Sequence, residues 1–295
     1  MKKISLIALT AAAIYAFSGC EKELPYPIDG VKRGVLIDIA RIPGSNGLLE
    51  AGQTTGNYQV MLTIPEYQGD YSSLDHAQLL AVLTGTDGVT SARVVVDNIT
   101  SFPQKIDIDI AGVYGKFNLA GPSSGEVLYF TANVVLKNGD VIPGWSEHAG
   151  FNNRAFSGWR VDNRAYSYNV RYPVVCQLNL DDFVGDKTID DPDWWEDSYL
   201  VEVEKLSETE LSVSGLFEGD ADNNLIITID PSLHTVTIEK QVLVVADKWW
   251  GAGYTNFSLE GSGTIDACNG KITFTATASV TQGIFGEASF TIYAN

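Results

Sequence analysis

The fold class of this 295-residue chain is decided by Thr264-Ile265-Asp266-Ala267-Cys268-Asn269-Gly270-Lys271-Ile272-Thr273-Phe274. The residues on both sides of positions 266–270 predict two strands, and Asn269-Gly270 between them predicts a tight hairpin turn. Short β-branched segments bounded by turn-forming residues recur along the rest of the chain. The sequence therefore predicts an all-β protein.

The C-terminal block, residues 172–295, is predicted to form a barrel. It begins at Tyr172-Pro173-Val174-Val175-Cys176 and contains roughly eight strand-like segments joined by short turns. A meander of this kind is typical of an up-and-down β-barrel, and about eight strands enclose an interior that side chains fill or that holds one small ligand. A filled interior is favoured by the bulky residues Phe274, Phe285 and Phe290.

The N-terminal block, residues 33–171, is predicted to form an immunoglobulin-like β-sandwich. Residues 105–110 alternate polar and apolar side chains, as expected of a strand with one buried and one solvated face. Val127–Leu136 is predicted to be another strand, ending in a turn at residues 137–140. Residues 73–83 fit either a capped helix or a buried strand, and the pattern does not choose between them.

Residues 1–19 are predicted to be an export signal. Two lysines precede the apolar residues 4–17, and Ser18-Gly19 places small residues before Cys20. This ending resembles the bacterial lipobox, which implies that Cys20 is lipidated and begins the mature chain, with residues 20–32 as a tether. Stable anchoring in the bilayer then requires two or more acyl chains. We expect an outer-membrane lipoprotein.

Charge and motif content exclude several function classes. Loss of Lys2 and Lys3 with the signal leaves 17 of 19 basic residues against 37 acidic ones, a net charge of −20. Nucleic acid is therefore a poor partner. The acidic Glu21-Lys22-Glu23 favours the cell surface over the periplasmic face. The sequence lacks nucleophile, phosphate-loop and dinucleotide motifs, so we predict a non-enzymatic protein without cofactors.

Two motifs bear on metal and disulfide chemistry. Residues 220–224 open like a calcium loop, but Leu225 stands where glycine is needed, so a solvated hairpin turn is expected and no metal is predicted. Cys176 and Cys268 remain after the signal is removed, in a compartment that permits oxidation. A structural disulfide between them is favoured over two free buried thiols.

Aromatic residues beside acids are the candidate ligand-binding features. Sugars stack their C–H faces on aromatic rings, and carboxylates accept hydrogen bonds from their hydroxyls. The competing interpretation is that such rings are buried, with one ring of each adjacent Trp pair facing the core. The candidate stacking residues are Trp194, Trp195, Trp249, Trp250 and Tyr254, and the candidate hydroxyl partners are Asp193, Glu196 and Asp197.

Several stretches resemble a family of two-domain Bacteroidetes lipoproteins. The resemblance lies in Phe102-Pro103-Gln104-Lys105-Ile106-Asp107, Gly139-Asp140-Val141-Ile142-Pro143-Gly144, residues 172–176, residues 266–272 and Gly283-Ile284-Phe285-Gly286. It implies an immunoglobulin-like sandwich followed by a calycin-like barrel, and an association with glycan uptake of the starch-utilisation type. It implies no functional residues.

The expected function is non-catalytic help in capturing an extracellular ligand, with a glycan as the favoured ligand. The expected partners are the lipid bilayer through Cys20, the glycan and an outer-membrane transporter complex. Two alternatives stay open. A structural or adhesion subunit docking on the transporter needs a large exposed apolar patch, and a binder of small apolar ligands needs an unfilled barrel.

Overall fold

The computed structural model describes residues 35–66, 70–152, 160–161, 164–194 and 198–294. Among the described residues, 54% lie in strands and 6% in helices, which confirms the predicted all-β class. Cys20 and its tether lie outside the described residues. Among the described residues, no helix is long and apolar enough to cross a membrane.

The N-terminal block consists of short strands around three longer ones, β4, β5 and β7. Its described elements follow in the order β1 (Asp38–Arg41), β2 (Leu49–Glu50), β3 (Gln59–Thr63), β4 (Leu74–Thr84), β5 (Thr90–Ile99), β6 (Gln104–Asp107), α1 (Ile110–Lys116), β7 (Val127–Leu136), β8 (Val141–Ile142), β9 (Trp145–Ser146), β10 (Gly150–Phe151), β11 (Arg160–Val161), β12 (Arg164–Ala165) and β13 (Val170–Val175).

Two sheets of this block enclose one hydrophobic core, so it is a sandwich. One sheet has the order β1-β3-β6, and the other has the order β2-β13-β7-β4-β5 with β8 added to β7. Strands β2 and β13 pair in parallel, whereas the other neighbours are antiparallel. Alternate residues of both sheets meet in the core, including Ile39 and Leu62 from the first sheet and Leu79, Phe130 and Tyr172 from the second.

Three local predictions differ from the structure or are decided by it. Residues 172–175 of the segment assigned to the barrel belong to β13, which pairs with β7 and β2 of the sandwich. Residues 74–83 lie in strand β4 rather than in a helix, and Leu79–Leu83 are buried between β5 and β7. The predicted strand at 105–110 ends at Asp107, and Ile110 begins helix α1.

The C-terminal block is a closed barrel of eight antiparallel strands. Leu180–Phe183 forms a 3-10 turn before the barrel, and Phe217–Gly219 forms another within it. The strands are β14 (Gly185–Asp190), β15 (Tyr199–Ser207), β16 (Glu210–Ser214), β17 (Leu225–Asp230), β18 (Thr235–Ala246), β19 (Thr255–Asp266), β20 (Lys271–Val280) and β21 (Gly283–Tyr293). Each pairs with the next, and β14 closes the barrel against β21. The predicted sandwich and eight-stranded barrel are thus confirmed.

Buried side chains fill the barrel. Phe274 and Phe290 stack with ring centroids 4.9 Å apart, and a continuous cluster of buried apolar residues surrounds them. Gly263 faces this pair from β19, where a Cβ would overlap the Thr273 carbonyl and the backbone of Phe274. This packing leaves the alternative of a small apolar ligand inside the barrel without support.

Covalent and polar contacts join the end of the sandwich to the barrel. Cys176, directly after β13, forms a disulfide with Cys268 in the β19–β20 hairpin. The Gly47 N–H donates to the Ser232 carbonyl at 3.1 Å. Because the disulfide spans 92 residues, it restricts the unfolded chain strongly.

Replacing both cysteines, as in Cys176→Ser/Cys268→Ser, is expected to lower the free energy of unfolding by about 3 kcal/mol, since the 92-residue loop is no longer closed in the unfolded state. Urea unfolding of the mature chain, with and without dithiothreitol, measures this. The reductant should destabilise the wild type and leave the double variant unchanged. Equal free energies of unfolding for the wild type and the double variant in the absence of dithiothreitol would contradict the prediction.

Candidate functional site

Four aromatic rings and one carboxylate line an open cleft at one end of the barrel. We call it the aromatic cleft, with a volume of about 510 Å³ and walls formed by Asp193, Trp194, Trp249, Trp250 and Phe285. These residues come from three segments, namely the turn after β14, the loop between β18 and β19, and the start of β21. All of these residues except Phe285 are candidate ligand-binding residues predicted from the sequence.

Two of the four rings are part of the barrel packing. Trp194 and Trp249 are half-buried and pack against Phe257, with centroids 5.0 and 5.5 Å away. The Trp249 indole N–H also donates to the Asp220 carboxylate at 2.8 Å. These two rings form the floor of the cleft rather than an exposed platform.

The other two rings are exposed and stacked on each other. Trp250 and Phe285 are each 42% exposed, with centroids 4.8 Å apart and planes inclined by 19°. Tyr254 meets both edge-on, at 5.7 and 5.3 Å. In the Trp249-Trp250 pair, one ring thus packs against the core and the other faces solvent.

Phe285 lies at a β-bulge on the outward-facing side of β21. Ala278 pairs with Gly286 and Ser279 pairs with Ile284, so Phe285 has no partner on β20. Phe285 is five positions from the buried Phe290, an odd number, so alternation along the strand places the two rings on opposite sides, and Phe285 stacks on Trp250. The sequence predicts that some of the rings of Phe274, Phe285 and Phe290 fill the barrel; Phe274 and Phe290 do so, whereas Phe285 is exposed at the rim.

The carboxylate of Asp247 holds the loop that carries Trp249 and Trp250. It accepts hydrogen bonds from five backbone N–H groups, at distances of 2.8–3.4 Å, which belong to Trp249, Trp250, Ala252, Gly253 and Tyr254. The backbone N–H of Trp250 and the others stabilise the charged form and lower the pKa of Asp247 to about 2. This residue was absent from the predicted site, since a single Asp in a loop carries no distinctive sequence signal.

Asp193 and Asp191 occupy contrasting environments in the turn after β14. Asp193 is exposed and accepts a hydrogen bond from the Ser289 N–H of β21 at 2.8 Å. Asp191 is only 1% exposed, and neither of its carboxylate oxygens has a hydrogen-bond partner in the described part of the chain. Burial, followed by the charge of Asp193, raises the pKa of Asp191 to about 7.

The remaining predicted residues are placed as follows. Trp195, Glu196 and Asp197 lie outside the described residues. Tyr254 supports the exposed ring pair without lining the cleft. In residues 220–224, which open like a calcium loop, Asp222 accepts hydrogen bonds from the Val245 N–H and the Lys248 ammonium, both at 2.8 Å. Its carboxylate oxygens therefore stabilise the turn. Within the described ranges, no group of three or more His, Cys, Asp or Glu residues is arranged to hold a metal.

The aromatic cleft has the composition of a binding site. Its described walls combine apolar ring surface with one carboxylate, which suits a ligand that has both C–H faces and polar groups. No protein-family model matches the chain, and no curated protein matches it significantly. Its function is therefore inferred from these side chains.

Asp247→Ala is expected to loosen the β18–β19 loop, because five backbone N–H groups lose their acceptor. Near-UV circular dichroism from the tryptophans should weaken while the barrel keeps its far-UV spectrum. The wild-type signal should be stable above about pH 4 and fade as the pH falls toward about 2, because the folded pKa lies below the unfolded one. An unchanged near-UV spectrum of the variant would contradict this role.

Asp191→Asn is expected to stabilise the protein above pH 7 by about 1–3 kcal/mol, since it removes a buried charge but leaves a buried amide. The raised pKa means that the wild type loses stability as the pH rises from about 4 to about 7. Urea unfolding across this range should show that slope for the wild type and a smaller one for the variant. The exposed Asp87→Asn variant is the control, and equal slopes for all three proteins would refute the assignment.

Proposed function

We propose that this chain is a lipid-anchored protein of the outer-membrane surface that captures an extracellular glycan without chemical turnover. The observation that carries the proposal is the convergence of four rings and the Asp193 carboxylate in one open cleft. The lipobox-like sequence ending at Cys20 supports the anchor. The resemblance to lipoproteins associated with glycan uptake supports the ligand class and a transporter complex as partner.

The geometry favours a short or terminal sugar over a long chain lying flat. The rings of Trp249 and Trp250 meet at 85°, and those of Trp194 and Trp250 at 73°. Consecutive sugars along a polysaccharide need coplanar rings, whereas perpendicular rings accept one sugar against an outer face of the Trp250–Phe285 stack and surround its edge. Asp193 then accepts from a hydroxyl at the rim.

A second candidate function is docking on a protein partner. Ile284 is 76% exposed next to the exposed Phe285, so the tip of the β20–β21 hairpin presents apolar side chains to solvent. Exposed apolar residues of this kind mark interaction surfaces when they form a patch. The partner would be the outer-membrane transporter of the capture complex.

Trp250→Ala and Phe285→Ala are each expected to weaken glycan binding at least about tenfold, as truncation of a central aromatic contact does. Isothermal titration of the mature chain with a panel of plant and microbial oligosaccharides measures the affinity. Tyr71→Ala is the control, because the Tyr71 side chain is 47% exposed and does not line the cleft.

Two outcomes would count against capture at the aromatic cleft. One is the absence of binding to every glycan of the panel, and the other is wild-type affinity in both cleft variants. If glycans fail to bind while Ile284→Ser abolishes co-purification with a transporter, the docking function takes precedence.

A further inference from the structure

The charged groups around the aromatic cleft are dominated by carboxylates. Asp193 lines it, Asp220 binds the indole of Trp249, and Asp247 lies within the loop that carries Trp250. Lys248, in the same loop, is engaged at 2.8 Å by Asp222 and also donates to the Asp220 carbonyl. In the described part of the site, a bound anion would therefore be repelled by the carboxylates. The ammonium of Lys248 would not offset this repulsion, because it is already paired with Asp222.

The backbone N–H groups of this loop are not available to bind an anion. Consecutive N–H groups in a loop with left-handed glycines, such as Gly251 and Gly253, often form a concave site for phosphate, sulfate or carboxylate. Here Asp247 occupies that position and takes five of these donors. The loop thus carries its own anion.

The aromatic rings of the cleft also favour a cation over an anion. The faces of aromatic rings are electronegative and attract cations, most strongly for Trp. Trp194, Trp249, Trp250 and Phe285 supply such surfaces beside the Asp193 carboxylate. This combination attracts an ammonium group and repels a carboxylate or sulfate.

We infer that the aromatic cleft selects glycans by charge, taking sugars with free amino groups most tightly, neutral sugars next, and uronic-acid or sulfated sugars least. This inference rests on the proposed function and specifies its substrate class. It follows from the electrostatics of the walls and does not depend on which hydroxyls are recognised.

The test uses β-1,4-linked oligomers of equal length and ring configuration whose sugars carry a positive charge, no charge or a negative charge, namely those of glucosamine, glucose and glucuronic acid, with a matching galacto-configured series. Isothermal titration of the mature chain should rank them in that order, with about fivefold in affinity for each charge near Asp193. The differences should shrink in about 1 M salt, because exposed charges are then screened.

A matched pair of variants assigns the selectivity to the cleft. Asp193→Asn keeps an acceptor for the Ser289 N–H and should narrow the ratio between glucosamine and glucuronate oligomers about 25-fold, since it removes both the attraction of the ammonium and the repulsion of the carboxylate. Asp87→Asn makes the same change in net charge at an exposed Asp of the sandwich that accepts the Val89 N–H at 2.9 Å, and it should leave the ratio unchanged.

The outcomes separate the two proposals. Binding of both series without regard to charge, or a ratio shifted equally by both variants, overturns the inference and leaves glycan capture standing. Tighter binding of the uronate oligomers also overturns it. Absence of binding by all members of both series overturns the proposed function together with the inference.

Discussion

The pairing of β14 with β21 is the constraint on which both the barrel and the aromatic cleft depend. Ile189 pairs with Ile292 across this closure, so the first and last strands of the barrel meet. The turn that follows β14 is thereby brought beside β21, where Asp193 accepts from the Ser289 N–H, 96 residues away in sequence. Trp194 and Phe285 become neighbours only because the barrel is closed.

The predictability of this fold follows the range of the interactions involved. The hairpin at residues 266–270 was predictable because its signals are local, and the structure pairs Asp266 with Lys271 there. The partner of β13 was not, since alternation shows that a segment is a strand but not which strand it joins. Likewise, the bulge at Phe285 arises from a register between β20 and β21 that no single stretch of sequence states.

The candidate site shows the same division. Trp194, Trp249 and Trp250 were recognisable because tryptophans beside acids are conspicuous in a sequence, and the structure brings them together. The contributions of Asp247 and Asp191 depend on environment alone. One carboxylate receives five N–H donors and the other receives none in the described chain, although both are aspartates in loops at the same end of the barrel.

The packed interior of the barrel separates the structural core from the aromatic cleft at its rim. Phe274 and Phe290 stabilise the fold from within, whereas the cleft is assembled from the loops and strand ends at its rim. The exposed rim residues Trp250 and Phe285 can then be exchanged without opening a cavity in the core, unlike Trp194 and Trp249, which pack against it. A lineage carrying this barrel is free to acquire new ligand preferences through rim substitutions while keeping the same folded framework.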